Sequence, residues 1–239
     1  ANSGQPSPLG AGSAITLGSA TLQYSGATAA STNRTITLTG GGTIDVSNSA
    51  GQLTLSGTLS GSGQTLTKTG GGTLEISGSA TLGTLRFMAG TTKFAGNASL
   101  TTSRIDNRGS GVVFSIADNA SITVSSYMVF GDASGASITI NQSGGAVTNL
   151  GTVNDPAGNN MSNRWGHWAG GTTTYNLSGG VLNLLAAPLY LSWDGPATLN
   201  ISGGTANILG INMGYGGRTN PSTISLTGGR LNIGSAGII

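Results

Sequence analysis

A short phrase recurs along the second half of the chain and constrains its fold more than any single residue does. It reads ITINQSGG at 138–145, YNLSGG at 175–180, LNISGG at 199–204 and ISLTGG at 224–229. The first glycines of the pairs, Gly144, Gly179, Gly203 and Gly228, stand 35, 24 and 25 residues apart. A period in this range, carried by short apolar alternations and glycine corners, predicts a stacked β-solenoid.

Each unit divides into three extended pieces. In the first, Leu199 and Ile201 alternate with Asn200, and Ile224 and Leu226 with Ser225. The glycine pair then supplies a corner with positive φ. In the second piece Leu182/Leu184, Ala206/Ile208 and Leu231/Ile233 flank Asn183, Asn207 and Asn232. Period-two alternation sends the aliphatics inward and the asparagines outward. In-register stacking then makes Asn183, Asn207 and Asn232 an amide ladder.

The third piece reads YMVFGD at 127–132, NRWGH at 163–167, LYLSW at 189–193 and INMGY at 211–215. Phe130, Trp165, Leu191 and Met213 are expected to share an inward column. Asp132, His167, Trp193 and Tyr215 are expected to share an outward one. The full inward set comprises Leu182, Leu184, Leu199, Ile201, Ile208, Met213, Ile224, Leu226, Leu231 and Ile233.

The first half reads as the same unit with looser spacing. Residues 36–39 precede Gly40–Gly41–Gly42, as 66–69 precede Gly70–Gly71–Gly72 thirty residues later. That alignment puts Lys68 in the slot of Leu38, with its stem along the wall and its head escaping at a corner; the alternative is a local shift of register. It also puts Asp45 and Glu75 in one outward column. The whole, 1–239, is expected to be a single solenoid. Coils are less regular over 1–126, regular over 127–239, and carry a longer loop near 148–162.

Here the residues resemble a known family. Residues 66–78, LTKTGGGTLEISG, are similar to the passenger-associated repeat of bacterial autotransporters. The later units, such as 198–204 and 222–228, look like the strand repeats of autotransporter and PEP-CTERM-associated exported proteins. The resemblance implies an all-β, right-handed, three-sided parallel β-helix that is secreted to the bacterial outer surface or an extracellular matrix. Together with the low charge and the lack of a catalytic cluster, it points to a non-enzymatic scaffold or adhesin, although such passengers also include some enzymes. A self-assembling filament subunit and a polysaccharide-active enzyme are the alternatives.

Composition agrees with export. Charged residues are 7% of the chain, glycine fills 43 of 239 positions, and cysteine is absent. The last point excludes disulfides, thiolate metal sites and a cysteine nucleophile. The nine Lys+Arg against seven Asp+Glu are dispersed in sequence, so no nucleic-acid partner is expected. No apolar run has the length of a membrane span. The expected partners are further coils of the same chain, copies of itself stacked end to end, or surface glycans.

Chemistry is sparse. With one His and no Cys, no metal site and no cofactor are expected. The glycine triplets lack a following Gly-Lys-Ser/Thr and read as corners rather than phosphate loops. Asp132 and His167 fall in one column but lack a placed nucleophile, so no catalytic residue is assigned. The candidate ligand surface is the outward side of the third piece: Arg164, His167, Trp168, Tyr190, Trp193 and Tyr215. Exposed rings in a row suit sugars. An ice-binding array ranks last, because Thr35-Ile36-Thr37 and Thr172-Thr173-Thr174 show no recurrence in one column at the sequence level.

Overall fold

In the computed structural model, residues 2–5, 10–154, 161–214 and 220–239 are described. Among them there is no helix, and 21 strands join in one sheet through parallel pairs. The chain winds as a β-solenoid of about 9 turns. Parallel pairing between successive coils leaves each strand buried on its inner side and hydrogen-bonded above and below, which short alternating segments satisfy.

Three stacks of strands form three faces. The first stacks Ala14–Leu17, Thr35–Leu38, the starts of Leu59–Thr69, Ser79–Phe87, Ser99–Asn107 and Ser121–Val129, the ends of Ser137–Asn149 and Thr172–Leu184, and the starts of Thr205–Met213 and Arg230–Ile238. The second begins with Thr21–Tyr24 and Gly42–Val46. It continues through the ends of four longer strands to Asn163–Trp165 and Leu189–Leu191. The third runs from Ala29–Thr32 through Gln52–Leu55, Thr73–Ile76 and Thr91–Phe94 to Ala197–Ile201 and Ser222–Leu226.

On the first face Ile15, Ile36, Leu59, Ala80, Leu100, Ile122, Val147, Leu182, Ala206 and Leu231 stack in one inward column. Along this column the coil is as short as 20 residues, from Ala80 to Leu100, and as long as 35, from Val147 to Leu182. Leu182, Leu184, Leu199, Ile201 and Ile208 are buried as expected. Met213 and Leu226 point along the same columns but are 37% and 54% exposed. Ile224, Leu231 and Ile233 are half-buried. Ile224, Leu226, Leu231 and Ile233 lie in strands that pair on one side only, whereas the strand of Met213 pairs on both sides and Met213 stands exposed at its end.

The amide ladder is present and longer than the sequence shows. Asn232 Nδ2 donates to Asn207 Oδ1 at 2.7 Å, Asn207 to Asn183 at 2.8 Å, and Asn183 to the Thr148 hydroxyl at 3.3 Å. Below Thr148 the same outward column continues as Thr123, Thr101, Thr81, Ser60, Thr37 and Thr16. The expectation that Thr37 has no column of like residues is thus overturned; the unequal coil lengths conceal it. A second ladder, Asn200 to Asn176 to Asn141, runs up the third face at 2.9 Å per step.

Two further expectations are corrected by register. Lys68 stacks on Ile44 and Phe87 of the second face, not in the slot of Leu38, which lies on the first. Its head does not escape. The residue is fully buried, and Nζ donates to the carbonyls of Thr69 (2.6 Å), Gly70 (2.8 Å) and Ala89 (3.2 Å) at the corner. Asp45 and Glu75 share no column: Asp45 sits on the second face beside Thr69, and Glu75 on the third, where Lys93 meets it at 2.9 Å.

Gly180 shows why the paired glycines recur. Its φ is +76°, and an added Cβ would stand 2.3 Å from the Gly145 carbonyl oxygen in the coil below. Gly180→Ala is expected to cost about 2 kcal/mol, since left-handed strain alone is worth roughly 1–3 kcal/mol. Urea denaturation measures this; an unchanged midpoint would remove the corner argument.

Candidate basic and aromatic cleft

The second face carries the only dense group of charges found among the described residues. Its strands place Arg86 beside Asp106, and Arg104 beside Tyr127, in neighbouring layers. Asp106 is fully buried and gripped by two guanidiniums. Arg86 donates through Nε at 2.7 Å and Nη2 at 2.9 Å, and Arg104 through Nε at 2.6 Å. Two parallel N–H···O bonds to one carboxylate are the strongest form such a pair takes.

Asp132 is the second anchor. Arg104 Nη2 reaches it at 2.5 Å, Arg108 Nε at 3.3 Å and His167 Nδ1 at 2.8 Å. The coils of Asp132 and His167 are adjacent, so the pair anticipated from the shared column does meet. Burial works against the Asp132 carboxylate, but the His167 hydrogen bond and the charges of Arg104 and Arg108 overcome it. The carboxyl is held below its ordinary range.

His167 is locked from both sides. Its Nε2 lies 3.2 Å from Arg164 Nη1, and an arginine can only donate. Nε2 must therefore accept, which puts the ring proton on Nδ1 and aims it at Asp132. Held in this way, the imidazole offers no free lone pair for a substrate proton.

Aromatic rings frame these charges. The Arg164 guanidinium sits 5.3 Å from the Tyr127 ring and 5.7 Å from that of Trp193. Burial lowers the pKa of Arg164, and its Nε lacks a hydrogen-bond partner within the chain. Trp193 packs on Tyr190 at 5.1 Å and on His167 at 5.9 Å. Trp168 stands 51% exposed at the rim. Arg104, Arg108, Asp132, Ala133, Ser134, Arg164, His167 and Trp168 enclose an open cleft of about 430 Å³.

Of the residues expected to form a ligand surface, Arg164, His167 and Trp168 line this cleft and Trp193 supports it. Tyr190 is a correction: it is only 6% exposed, covered by Trp193 and by the layers of Arg164 and Asn212 that pair with it. Tyr215 lies outside the described residues. Arg86, Arg104, Arg108 and Asp106 escaped the sequence reading, which treated the cations as dispersed. The available signal was the spacing of Arg86 and Asp106, which equals the 20-residue coil of that region.

The described residues hold no group of three or more His, Cys, Asp or Glu side chains able to bind a metal ion. No family model, curated protein or solved structure matches the chain.

Proposed function

We propose that this chain is a non-enzymatic extracellular scaffold or adhesin of a bacterial surface, a β-solenoid rod that presents a glycan-binding cleft on its second face. The observation that carries this reading is the engagement of the Asp132–His167 pair. Both histidine nitrogens are bonded, and the carboxylate holds two guanidiniums besides. General base catalysis needs a lone pair within reach of a substrate proton; this arrangement supplies rigid donors instead. The resemblance of 66–78 to passenger repeats supports an exported setting. Incubation with plant, algal and bacterial polysaccharides is expected to give binding without bond cleavage. Turnover that is lost in Asp132→Asn would overturn the proposal in favour of a polysaccharide-active enzyme.

A second reading has its own observation, the hydroxyl column from Thr16 to Thr148 on the first face. Like groups repeated at the strand spacing of ~4.8 Å are a template for an ordered lattice. Part of that capacity is already used along the column, where Ser60 Oγ donates to Thr37 Oγ1 at 3.3 Å. Growth of ice crystals in a dilute solution of the protein separates the readings. Faceted crystals would favour an ice-facing surface, and round discs would remove it.

A further inference from the structure

We infer that the cleft takes an acidic polysaccharide, seating a carboxylate- or sulfate-bearing sugar unit between Arg108 and Arg164 with a ring face against Trp168. This deepens the glycan-binding reading and rests on it.

The charge count within the cluster points to an anion. Four guanidiniums, on Arg86, Arg104, Arg108 and Arg164, face two carboxylates, on Asp106 and Asp132. Among these six groups two positive charges remain uncompensated. They belong to the two arginines at the cleft that the carboxylates hold least. Arg108 keeps one 3.3 Å contact and has a 43% exposed side chain. Arg164 makes no salt bridge among the described residues and rests on aromatic rings; its Nε is buried and its Nη1 lies on His167, which leaves Nη2 for a ligand. A guanidinium left in this state retains donors matched to a carboxylate or sulfate oxygen pair.

The surroundings select a sugar chain over a nucleic acid. A duplex or single strand needs cations repeated along its path. Here the other described cations are elsewhere: Lys68 and Arg34 are buried, Lys93 is paired with Glu75 on the third face, and Arg230 is exposed at the start of Arg230–Ile238 on the first face. The positive region is local, the length of one or two sugar units. The volume, about 430 Å³, falls in the ~300–1,000 Å³ range of small-ligand clefts. Trp168 adds the flat apolar surface on which a pyranose ring stacks its C–H face.

Calorimetric titration of the protein with oligogalacturonate, dextran sulfate and neutral dextran tests this at low and high salt. Binding of one or both acidic chains, weakened by salt, with no binding of dextran, is expected. The two acidic probes tell carboxylate from sulfate. Arg108→Gln should weaken binding by roughly tenfold to a hundredfold, the worth of a charged hydrogen bond, and Trp168→Ala by about threefold to tenfold. Both side chains are at the rim, so circular dichroism should show unchanged folds. Equal binding of dextran, lost in Trp168→Ala, would overturn the acidic preference and leave the glycan-binding reading intact. Absence of binding to all three chains would overturn both. Acidic binding unaffected by either substitution would move the site elsewhere and overturn the inference.

Discussion

Trp165→Ala is expected to destabilise the solenoid by about 3–5 kcal/mol, the usual cost of deleting a fully buried large aromatic. Trp165 has no exposed surface and crosses the core to stack on Tyr175, with ring centroids 5.0 Å apart and planes 5° from parallel. Phe130 in the coil before it lies 6.2 Å away. In a solenoid each layer contacts only its neighbours, so one void weakens two interfaces at once. The same residue anchors the cleft, because the turn to His167 and Trp168 leaves directly from it and Gly166 N donates to Thr173 Oγ1 at 3.1 Å. Trp165→Phe is the informative partner. It keeps the stack and removes an indole N–H that has no hydrogen-bond partner in the chain. Its loss should be about 1 kcal/mol, since a buried donor left unsatisfied is itself costly. Urea unfolding of both variants measures the difference; equal losses would show that the ring stack contributes little.

A second large effect is expected from pH. Burial lowers the pKa of Lys68 to about 8, against 10.5 for a free lysine, with the charge of Asp45 opposing the shift. Between those two values the unfolded chain binds more protons than the folded one, so stability rises with pH. Below pH 8 the cost of burying the ammonium is present in full; as pH climbs toward 10 it is progressively relieved. The gain from pH 7 to 10 should be about 2–3 kcal/mol. Above pH 10 the trend turns, because burial holds the Tyr175 hydroxyl protonated and its ionisation in the unfolded chain favours unfolding. Lys68→Met, a near-isosteric apolar change, should flatten the profile and raise stability at pH 7. A wild-type unfolding midpoint that is constant from pH 7 to 10 would contradict this account of the buried lysine.

Lys68 also shows how far the sequence can be read. Alternation and glycine corners were enough for the three-faced coil, the inward aliphatics and the Asn183–Asn207–Asn232 ladder, because each depends on spacing within a unit. Register between units of unequal length was not legible. The triplets at Gly40 and Gly70 look equivalent, yet they close different corners of the coil. Lys68, Asp45 and Glu75 were therefore misplaced together, and the threonine column was missed. The cleft suffered from the same limit. Trp168, Arg164 and the Asp132–His167 pair stood out within one regular stretch. Arg86, Arg104 and Arg108 join them only through coils of 20–35 residues. Their convergence follows from stacking rather than from any local motif.

Buried polar residues were the other blind spot. Gln142 sits fully inside, accepting the Tyr175 hydroxyl at 2.6 Å and donating to the Val181 carbonyl at 3.0 Å. Asn163 accepts from Asn149 at 2.7 Å and donates to the Ala187 carbonyl at 3.1 Å. Alternation predicts an apolar residue at such positions; a corner with orphaned carbonyls accepts an amide as well, provided every donor is used.

The proposed binding of an acidic glycan by the uncompensated guanidiniums of the second face is open to direct observation. The most direct measurement is a crystal structure of the chain soaked with a short oligogalacturonate and, separately, a sulfated disaccharide. An acidic group within hydrogen-bond distance of Arg108 or Arg164 and a sugar ring over Trp168 are expected. A saccharide bound on another face, with this cleft holding solvent, would contradict the proposal.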